Sequence, residues 1–212
     1  MNNYSIEQPS NWNRESTYEF FKTFEIPFYN ITANVDVSNL KAYCDKNNLS
    51  FLVTALFLSQ KTISQIPNFR YRFVDNEVRL YEKTQAGCTI LLENESFAFC
   101  YFSPLTELTE FVEYGTNAIK ELKSNPNFAP RDGDANMVFY SVIPWLSFTS
   151  FQHARRFEKE DSIPRIVFGK YSEINKELQM PISVEVHHSF VDGLHVGRYF
   201  HILQNEINAL KV

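Results

Sequence analysis

One segment, residues 180–210, constrains the fold more than any other part of the sequence. Apolar and polar residues alternate over residues 182–187, and this two-residue period is typical of a β-strand with one buried face. Apolar residues then recur at spacings of three and four over residues 196–210, which predicts a helix. Between the strand and the helix we expect a tight turn at Asp192 and Gly193, because glycine adopts backbone angles that other residues do not.

His188 follows this predicted strand and is a candidate general base. The alternation places it on the same face as the aliphatic residues and turns His187 to the opposite face. We expect partial desolvation at this position to disfavour the charged imidazole, and a base must be neutral to accept a proton. One histidine on an apolar face is more often a core residue than a catalytic one, so this position alone does not decide its role.

Strand and helix patterns interleave along the rest of the chain. The sequence predicts strands at 29–37, 69–74, 78–81, 89–92, 97–102, 137–143, 148–151 and 165–168. It predicts a first helix that is capped by Asn11 and ends before Pro27, and further helices at 38–44, 50–66 and 108–122. Asp75 and Asn76 form a turn pair between two strands of a hairpin. Because no internal repeat or linker is evident, we expect residues 1–212 to form one α/β domain with a mixed β-sheet.

Composition argues against several classes of function. The net charge is -5 and there is no run of Lys or Arg, so nucleic acid and anionic membranes are poor candidates as partners. Cys44, Cys88 and Cys100 are widely spaced and include no CxxC pair, so we expect neither a metal site nor a disulfide framework. No run of 18 apolar residues and no signal peptide is evident, which favours a cytoplasmic protein. The 20 Phe and 11 Tyr suit a pocket for a ring-bearing ligand, although most of them must lie in the core.

Three motifs carry a resemblance to a known family. The sequence HHSFVDG at 187–193 resembles the HHxxxDG signature of the CoA-dependent acyltransferase superfamily, and its continuation LHVGR at 194–198 is similar to the chloramphenicol acetyltransferase branch. The sequence SVIPWLSFTS at 141–150 and the sequence NWNR at 11–14 are similar to two further motifs of that branch. The resemblance implies a mixed β-sheet flanked by helices, in a homotrimer whose active sites lie between subunits.

The resemblance also implies roles for individual residues. His188 would be the catalytic base, and Ser141 would donate a hydrogen bond to the tetrahedral intermediate, where negative charge develops. Asp192 would pair with Arg14 and support the turn that carries the histidine, rather than orient the imidazole. The residues implied in binding CoA are Trp145 and Tyr171, and those implied in binding the acceptor are Phe20, Phe21, Tyr29, Phe97 and Phe139.

The implied activity is O-acetylation of chloramphenicol, with acetyl-CoA as co-substrate and with no bound cofactor or metal. Two alternatives stay open, namely an acetyltransferase for another hydroxylated small molecule and a catalytically silent homologue that binds an aromatic ligand. The joint presence of a base, a serine and the Arg14–Asp192 pair favours an enzyme, because a binding protein does not need a base. Two positions depart from the family pattern, since Val167 replaces a threonine and Glu25 replaces an apolar residue at the acceptor rim.

Overall fold

A computed structural model describes residues 3–6, 12–131, 134–155 and 161–212 of the chain. Its strands are β1 (Tyr4–Ile6), β2 (Phe28–Asp36), β3 (Tyr71–Val74), β4 (Glu77–Tyr81), β5 (Gln85–Leu91), β6 (Phe97–Phe102), β7 (Met137–Ile143), β8 (Arg165–Gly169), β9 (Ser172–Ile174) and β10 (Glu177–His187). Its α-helices are α1 (Glu15–Phe21), α2 (Ser38–Asn47), α3 (Phe51–Ser64), α4 (Leu108–Ser124) and α5 (Gly193–Asn208).

The large sheet has the strand order β2-β10-β8-β7-β5-β6, with β9 paired to β10. Strands β5, β7 and β8 are parallel neighbours, and the other neighbours in this sheet are antiparallel. A small second sheet has the order β1-β4-β3. The prediction of an α/β fold with a mixed sheet is therefore confirmed.

Strand β10 is buried on both faces, so the prediction of a half-buried strand was wrong. On one face Ile182 packs between residues of α3 and α5, among them Leu58 and Leu203. On the other face the polar residues are buried because they have partners. The Ser183 hydroxyl accepts a hydrogen bond of 2.5 Å from Asn30, and the Glu185 carboxylate pairs with an arginine described below. Alternation in the sequence indicated the faces, but it could not show that both were covered.

Helix α3 lies at the centre of the apolar layer that covers one face of the sheet. Ser50 caps it, as predicted, and the Ser50 hydroxyl accepts a hydrogen bond from the Val53 amide. The buried Ser59 hydroxyl bonds to the hydroxyls of Tyr140 on β7 and Tyr199 on α5, at 2.9 and 2.8 Å. These bonds connect sheet and helices inside the core, where an unpaired hydroxyl would be unfavourable.

Of the predictions for short segments, the hairpin turn is confirmed and one strand is wrong. Asp75 and Asn76 form the predicted hairpin turn, with φ angles of 53° and 62°. The strand predicted at 148–151 is absent, because Phe148 and Phe151 pack against each other, with ring centroids 5.8 Å apart, and the segment joins no ladder. Helix α1 begins at Glu15, and its predicted cap, Asn11, lies outside the described residues. Within those residues, no helix is long and apolar enough to span a bilayer.

Packing of α4 predicts the effect of a substitution at Gly115. A Cβ atom there would lie 2.7 Å from a methyl carbon of Val53 and 2.9 Å from the Phe102 ring. We expect Gly115→Ala to destabilise the protein by about 1–2 kcal/mol, because overpacking of about 1–3 kcal/mol exceeds the helix-propensity gain of about 1 kcal/mol. Gly197→Ala is the matched control, since no atom lies within 4 Å of a Cβ at this exposed helical position, and it should be neutral or stabilising. Chemical denaturation measures both, and equal effects at the two glycines would contradict the packing argument.

Candidate active site

His188 lies at the corner where β10 ends. Its amide donates a hydrogen bond of 2.8 Å to the Pro27 carbonyl, and the next residues turn back before α5 begins. Its imidazole stacks on the Phe21 ring, with centroids 3.9 Å apart and planes 7° from parallel, and lies 4.6 Å from the Tyr29 ring. The side chain is 35% exposed, so one histidine edge remains accessible while the stacking fixes the ring plane.

Arg14 holds this corner together. Its guanidinium donates to both carboxylate oxygens of Asp192, at 2.6 and 3.0 Å, and to the backbone carbonyls of His188 and Ser189, at 3.3 and 3.2 Å. The hydrogen bonds from Arg14 lower the pKa of Asp192 below its ordinary value. The carboxylate is 3.4 Å from Nδ1 of His188 and makes no hydrogen bond to it. Asp192 therefore acts on the turn more than on the imidazole.

The glycine of the HHxxxDG motif has a different setting from the one expected. Asp192 precedes α5, and its amide donates a 2.9 Å hydrogen bond to Nδ1 of His195. Gly193 is the first helical residue, its φ lies outside the left-handed region, and a Cβ there would meet no atom within 4 Å. The prediction that backbone freedom of Gly193 makes the turn was wrong, because the chain reverses before Asp192.

His187 differs from its neighbour His188 in its burial and its hydrogen bonding. It is buried, its ring contacts those of Phe28 and Phe190, and its Nδ1 accepts a 3.2 Å hydrogen bond from the Ser189 amide. Burial lowers the pKa of His187 to about 4, so the imidazole is neutral at physiological pH. His187 is thus a structural residue of the corner.

A cavity of about 740 Å³ opens on the sheet face that the helices leave uncovered. Ser141 lines it near the middle of β7, two residues beyond Phe139. Its aromatic wall consists of Phe97, Phe99, Tyr101, Phe128 and Phe139. Its polar wall consists of His153, Arg155, Asp161 and Arg165. A cavity of this size and mixed lining is typical of a small-molecule site.

Within one chain, Ser141 and His188 are far apart. Ser141 pairs with Val167 on β8, and Val167 pairs with Ser183 on β10, so these three residues form one row across the sheet. His188 lies five residues beyond Ser183. With about 3.3 Å per residue and about 4.8 Å per strand, the Cα atoms of Ser141 and His188 are roughly 19 Å apart. The chain by itself therefore does not bring the candidate base and the candidate oxyanion donor together.

Val167 occupies the centre of the row that Ser141 begins. Its side chain is fully buried, and it has no hydroxyl with which to hold a water beside the serine. On the far side of the row the Ser183 hydroxyl is already bonded to Asn30. The departure at Val167 is thus not compensated by a neighbouring hydroxyl in the same row.

The aromatic residues implied in acceptor binding are divided between the His188 side and the cavity beside Ser141. Phe20, Phe21 and Tyr29 lie on the His188 side, where Phe20 is 61% exposed and contacts the Phe21 ring. Phe97 and Phe139 line the cavity beside Ser141. Glu25 is exposed on the His188 side, between the exposed residues Phe24 and Ile26.

Trp145 and Tyr171 lie away from both of these regions, just beyond the C-terminal ends of the parallel strands β7 and β8. A 2.9 Å hydrogen bond from the Lys170 amide to the Leu146 carbonyl joins the two segments. Trp145 is 60% exposed, and the Tyr171 ring lies 5.4 Å from that of Phe51. The two candidate CoA-binding residues are therefore neighbours at one edge of the sheet.

The polar residues of the cavity wall were not predicted from the sequence as site residues. Glu185 is 3% exposed, and its carboxylate bonds to Arg155, which also pairs with Asp161 at 2.7 Å. Asp161 in turn pairs with Arg165 at 3.0 Å. No local signal indicated this pairing, because the alternation places Glu185 on the polar face of a strand that was predicted to be half-buried. Its partners Arg155 and His153 lie 30 and 32 residues away in the sequence, so no local pattern could identify them.

Among the described residues, no group of three or more His, Cys, Asp or Glu side chains is arranged to hold a metal ion. Cys44, Cys88 and Cys100 are buried free thiols. Burial raises the pKa of the Cys100 thiol to about 11 and disfavours the reactive thiolate.

Comparison with known proteins gives a consistent result. A family model described as chloramphenicol acetyltransferase matches residues 1–204. The chain is 26% identical to a chloramphenicol acetyltransferase of Proteus mirabilis over 92% of this chain and 90% of that protein. It is 25% identical to chloramphenicol acetyltransferase 3 of Escherichia coli over 98% of both chains.

Solved structures show the same fold. A chloramphenicol acetyltransferase structure superposes with a TM-score of 0.86 at 24% identity, over 98% of this chain and 100% of the other. A dihydrolipoamide acetyltransferase of Azotobacter vinelandii superposes with a TM-score of 0.66 at 13% identity, over 92% and 86% of the two chains.

Because Arg14 and Asp192 contact each other, substitutions at the two positions should have non-additive effects on the free energy of unfolding. Asp192→Asn leaves a buried guanidinium without its carboxylate, and we expect a loss of about 1–3 kcal/mol, below the roughly 3–5 kcal/mol of a fully buried pair because Asp192 is partly exposed. The double variant Asp192→Asn with Arg14→Val should lose less free energy of unfolding than the sum of the two single losses, by about 0.5–3 kcal/mol. Urea unfolding at fixed protein concentration measures this coupling.

The matched control is Asp75→Asn, which removes the same charge from an exposed residue that is paired with Arg79. Such surface changes usually lie within about 0.5 kcal/mol. Strict additivity of the Arg14 and Asp192 changes, or an equal loss at Asp75, would contradict the proposed clamp.

Proposed function

Because the chain belongs to the chloramphenicol acetyltransferase family, we propose that it transfers the acetyl group of acetyl-CoA to the primary hydroxyl of chloramphenicol. The observation that carries this proposal is the pair of half-sites. One presents the accessible imidazole of His188 on a clamped corner, and the other presents Ser141 inside a cavity with an aromatic wall. The relatives with the matching sequences are named for this activity.

In the proposed mechanism, His188 removes the proton from the acceptor hydroxyl as its oxygen attacks the thioester carbonyl of acetyl-CoA. The carbonyl π electrons move to oxygen, and the Ser141 hydroxyl donates a hydrogen bond to this oxyanion. When the intermediate collapses, the C–S bond breaks and CoA leaves as the thiolate. The imidazolium of His188 returns its proton to the sulfur, so base and acid are the same group and no acyl-enzyme forms.

We further propose a homotrimer in which each site lies between two subunits. The roughly 19 Å between Ser141 and His188 within one chain supports this arrangement, because the proposed chemistry requires both groups at one carbonyl. The surface beside His188 is apolar, since Phe20, Phe24 and Ile26 are all exposed. Such a surface suits contact with the aromatic cavity of a neighbouring subunit, and a ring of such head-to-tail contacts closes.

Trp145 and Tyr171 would bind CoA, since an exposed indole beside a partly buried tyrosine offers ring faces at one edge of the sheet. Phe20, Phe21 and Tyr29 of one subunit, with Phe97 and Phe139 of the next, would surround the acceptor. We propose a cytoplasmic location, because acetyl-CoA is available there.

A second acceptor class is favoured by specific features of this chain. Val167 removes a hydroxyl beside Ser141, Glu25 adds a charge near His188, and one wall of the cavity is polar. The alternative is therefore acetylation of another hydroxylated small molecule by the same groups. A catalytically silent binding protein is disfavoured, because passive binding does not need a general base on a clamped corner.

Removal of the base tests the proposed activity. In an assay for CoA thiol release with chloramphenicol, His188→Ala should lower turnover by about 100-fold to 10,000-fold, the usual contribution of a general base. His201→Ala is the matched control, because it removes an exposed histidine on α5 whose side chain, among the described residues, hydrogen-bonds to Asn205 alone. No thiol release by the unaltered protein, or equal losses at the two histidines, would refute the proposal.

Mixed trimers test whether the site is shared between subunits. Ser141→Ala and His188→Ala should each be nearly inactive alone. When the two variants are unfolded together and refolded, about one quarter of the sites should combine an intact Ser141 from one subunit with an intact His188 from the next, if association is random. Activity near one quarter of the unaltered level supports the shared site. Activity no higher than that of the separate variants would mean that both groups come from one chain.

A further inference from the structure

The polar wall of the cavity has no role in the proposed acetyl transfer. It includes His153, whose side chain is only 13% exposed and whose ring packs edge-on against Phe151 at 4.9 Å. His153 lines the same cavity as Ser141, whereas His188 of the same chain lies on the other half-site. A second histidine is therefore built into the pocket that would receive the acceptor.

Glu185 fixes the orientation of this histidine. One carboxylate oxygen, Oε1, accepts a 2.5 Å hydrogen bond from Arg155, and Arg155 is itself held over the Phe28 ring at 3.4 Å. The other oxygen, Oε2, accepts the backbone amide of His153 at 3.3 Å and lies 3.8 Å from its Nδ1. Each oxygen thus serves one neighbour, and the carboxylate cannot turn away from the imidazole without breaking its bond to Arg155.

The carboxylate of Glu185 lies beside Nδ1 of His153, which bears on the tautomer of the neutral imidazole. Burial alone would raise the pKa of this carboxyl group, but the contacts with His153 and Arg155 outweigh burial and lower the pKa to about 2. An ionised carboxylate only accepts hydrogen bonds, so in the neutral imidazole the proton is favoured on Nδ1. The 3.8 Å separation is too long for a hydrogen bond, and Nδ1 has no other partner among the described residues.

The far nitrogen, Nε2, is then left as a hydrogen-bond acceptor on a residue that lines the cavity. It has no hydrogen-bond partner within the described part of the chain. Two other polar residues of this wall, Arg155 and Asp161, are already paired with each other at 2.7 Å. An acceptor site of this kind is complemented by an O–H or N–H group of a ligand.

We propose that His153 binds the acceptor substrate, accepting through Nε2 a hydrogen bond from an O–H or N–H group other than the hydroxyl that is acetylated. The inference rests on the proposed acetyl transfer and specifies its substrate class, a small hydroxylated molecule with a second donor. Glu185 is the positioning residue, because it acts on the substrate only through the imidazole.

The spacing across the sheet suits one small molecule. Glu185 pairs with Arg165, and Arg165 pairs with Phe139, so these residues form the row next to that of Ser141. Two strand spacings and two residues place the Cα atoms of Glu185 and Ser141 roughly 12 Å apart. Since His153 lies over Glu185, a single ligand in the cavity can reach both the serine and the histidine.

Direct binding measurements test the inference without turnover. Chloramphenicol has two donors besides its primary hydroxyl, a secondary hydroxyl and an amide N–H. Isothermal titration calorimetry without acetyl-CoA would compare chloramphenicol with an analogue in which the secondary hydroxyl is replaced by hydrogen, and with one in which the amide N–H is replaced by an ester oxygen. The unaltered protein should bind at least one of these analogues about 2-fold to 10-fold more weakly, the usual value of one neutral hydrogen bond.

His153→Leu should bind chloramphenicol as weakly as that analogue and should no longer distinguish the two. His153→Gln should recover part of the difference, because its side-chain carbonyl can accept the same hydrogen bond. His201→Leu is the matched control and should behave as the unaltered protein. His153→Ala replaces His153→Leu if thermal unfolding shows that the leucine variant is not folded.

Three results would overturn the inference. The unaltered protein could fail to distinguish chloramphenicol from either analogue, or the distinction could persist in His153→Leu. In both cases, thiol release with chloramphenicol would still leave the proposed acetyl transfer intact. If chloramphenicol did not bind the unaltered protein at all, the proposed acceptor and this inference would fall together.

Discussion

The bidentate contact between Arg14 and Asp192 is the interaction on which the His188 half-site depends. One guanidinium connects the segment before α1, the backbone at the end of β10 and the residue that precedes α5. Without this cation, the carbonyls of His188 and Ser189 would lose donors inside the protein, which is unfavourable. The ring of His188 then stacks on Phe21, which belongs to the helix that Arg14 precedes, so a single clamp positions both the histidine and the surface beneath it.

The large sheet separates two kinds of environment. On one face, helices α2 to α5 build an apolar core in which Ser59 is bonded to two tyrosine hydroxyls. On the other face, the side chains of β5 to β8 line the cavity, and a chain of ion pairs runs from Glu185 through Arg155 and Asp161. Burial of these charges is tolerable because each has an opposite charge or a hydrogen bond.

Much of the candidate site could be predicted from local sequence. Motif spacing identified His188, Ser141, Asp192 and Arg14, and the structure brings Arg14 into contact with Asp192. The role of Gly193 was predicted wrongly, since a Gly after Asp is typical of a turn and here it begins a helix. His153 could not be predicted, because its importance depends on Glu185, and no periodicity connects a loop residue to a strand residue that far along the chain.

The sequence by itself determined the element types and most of their order, because the period of apolar residues and the turn and cap residues are local properties. It also determined the family, since the HHxxxDG motif and its flanking segments are specific. Only the tertiary structure decided that β10 is covered on both faces and that Ser141 and His188 lie on separate half-sites. It alone placed a second histidine beside a buried carboxylate in the cavity. These features depend on strand order and register, and they arise from contacts between residues far apart in the chain, which no local pattern records.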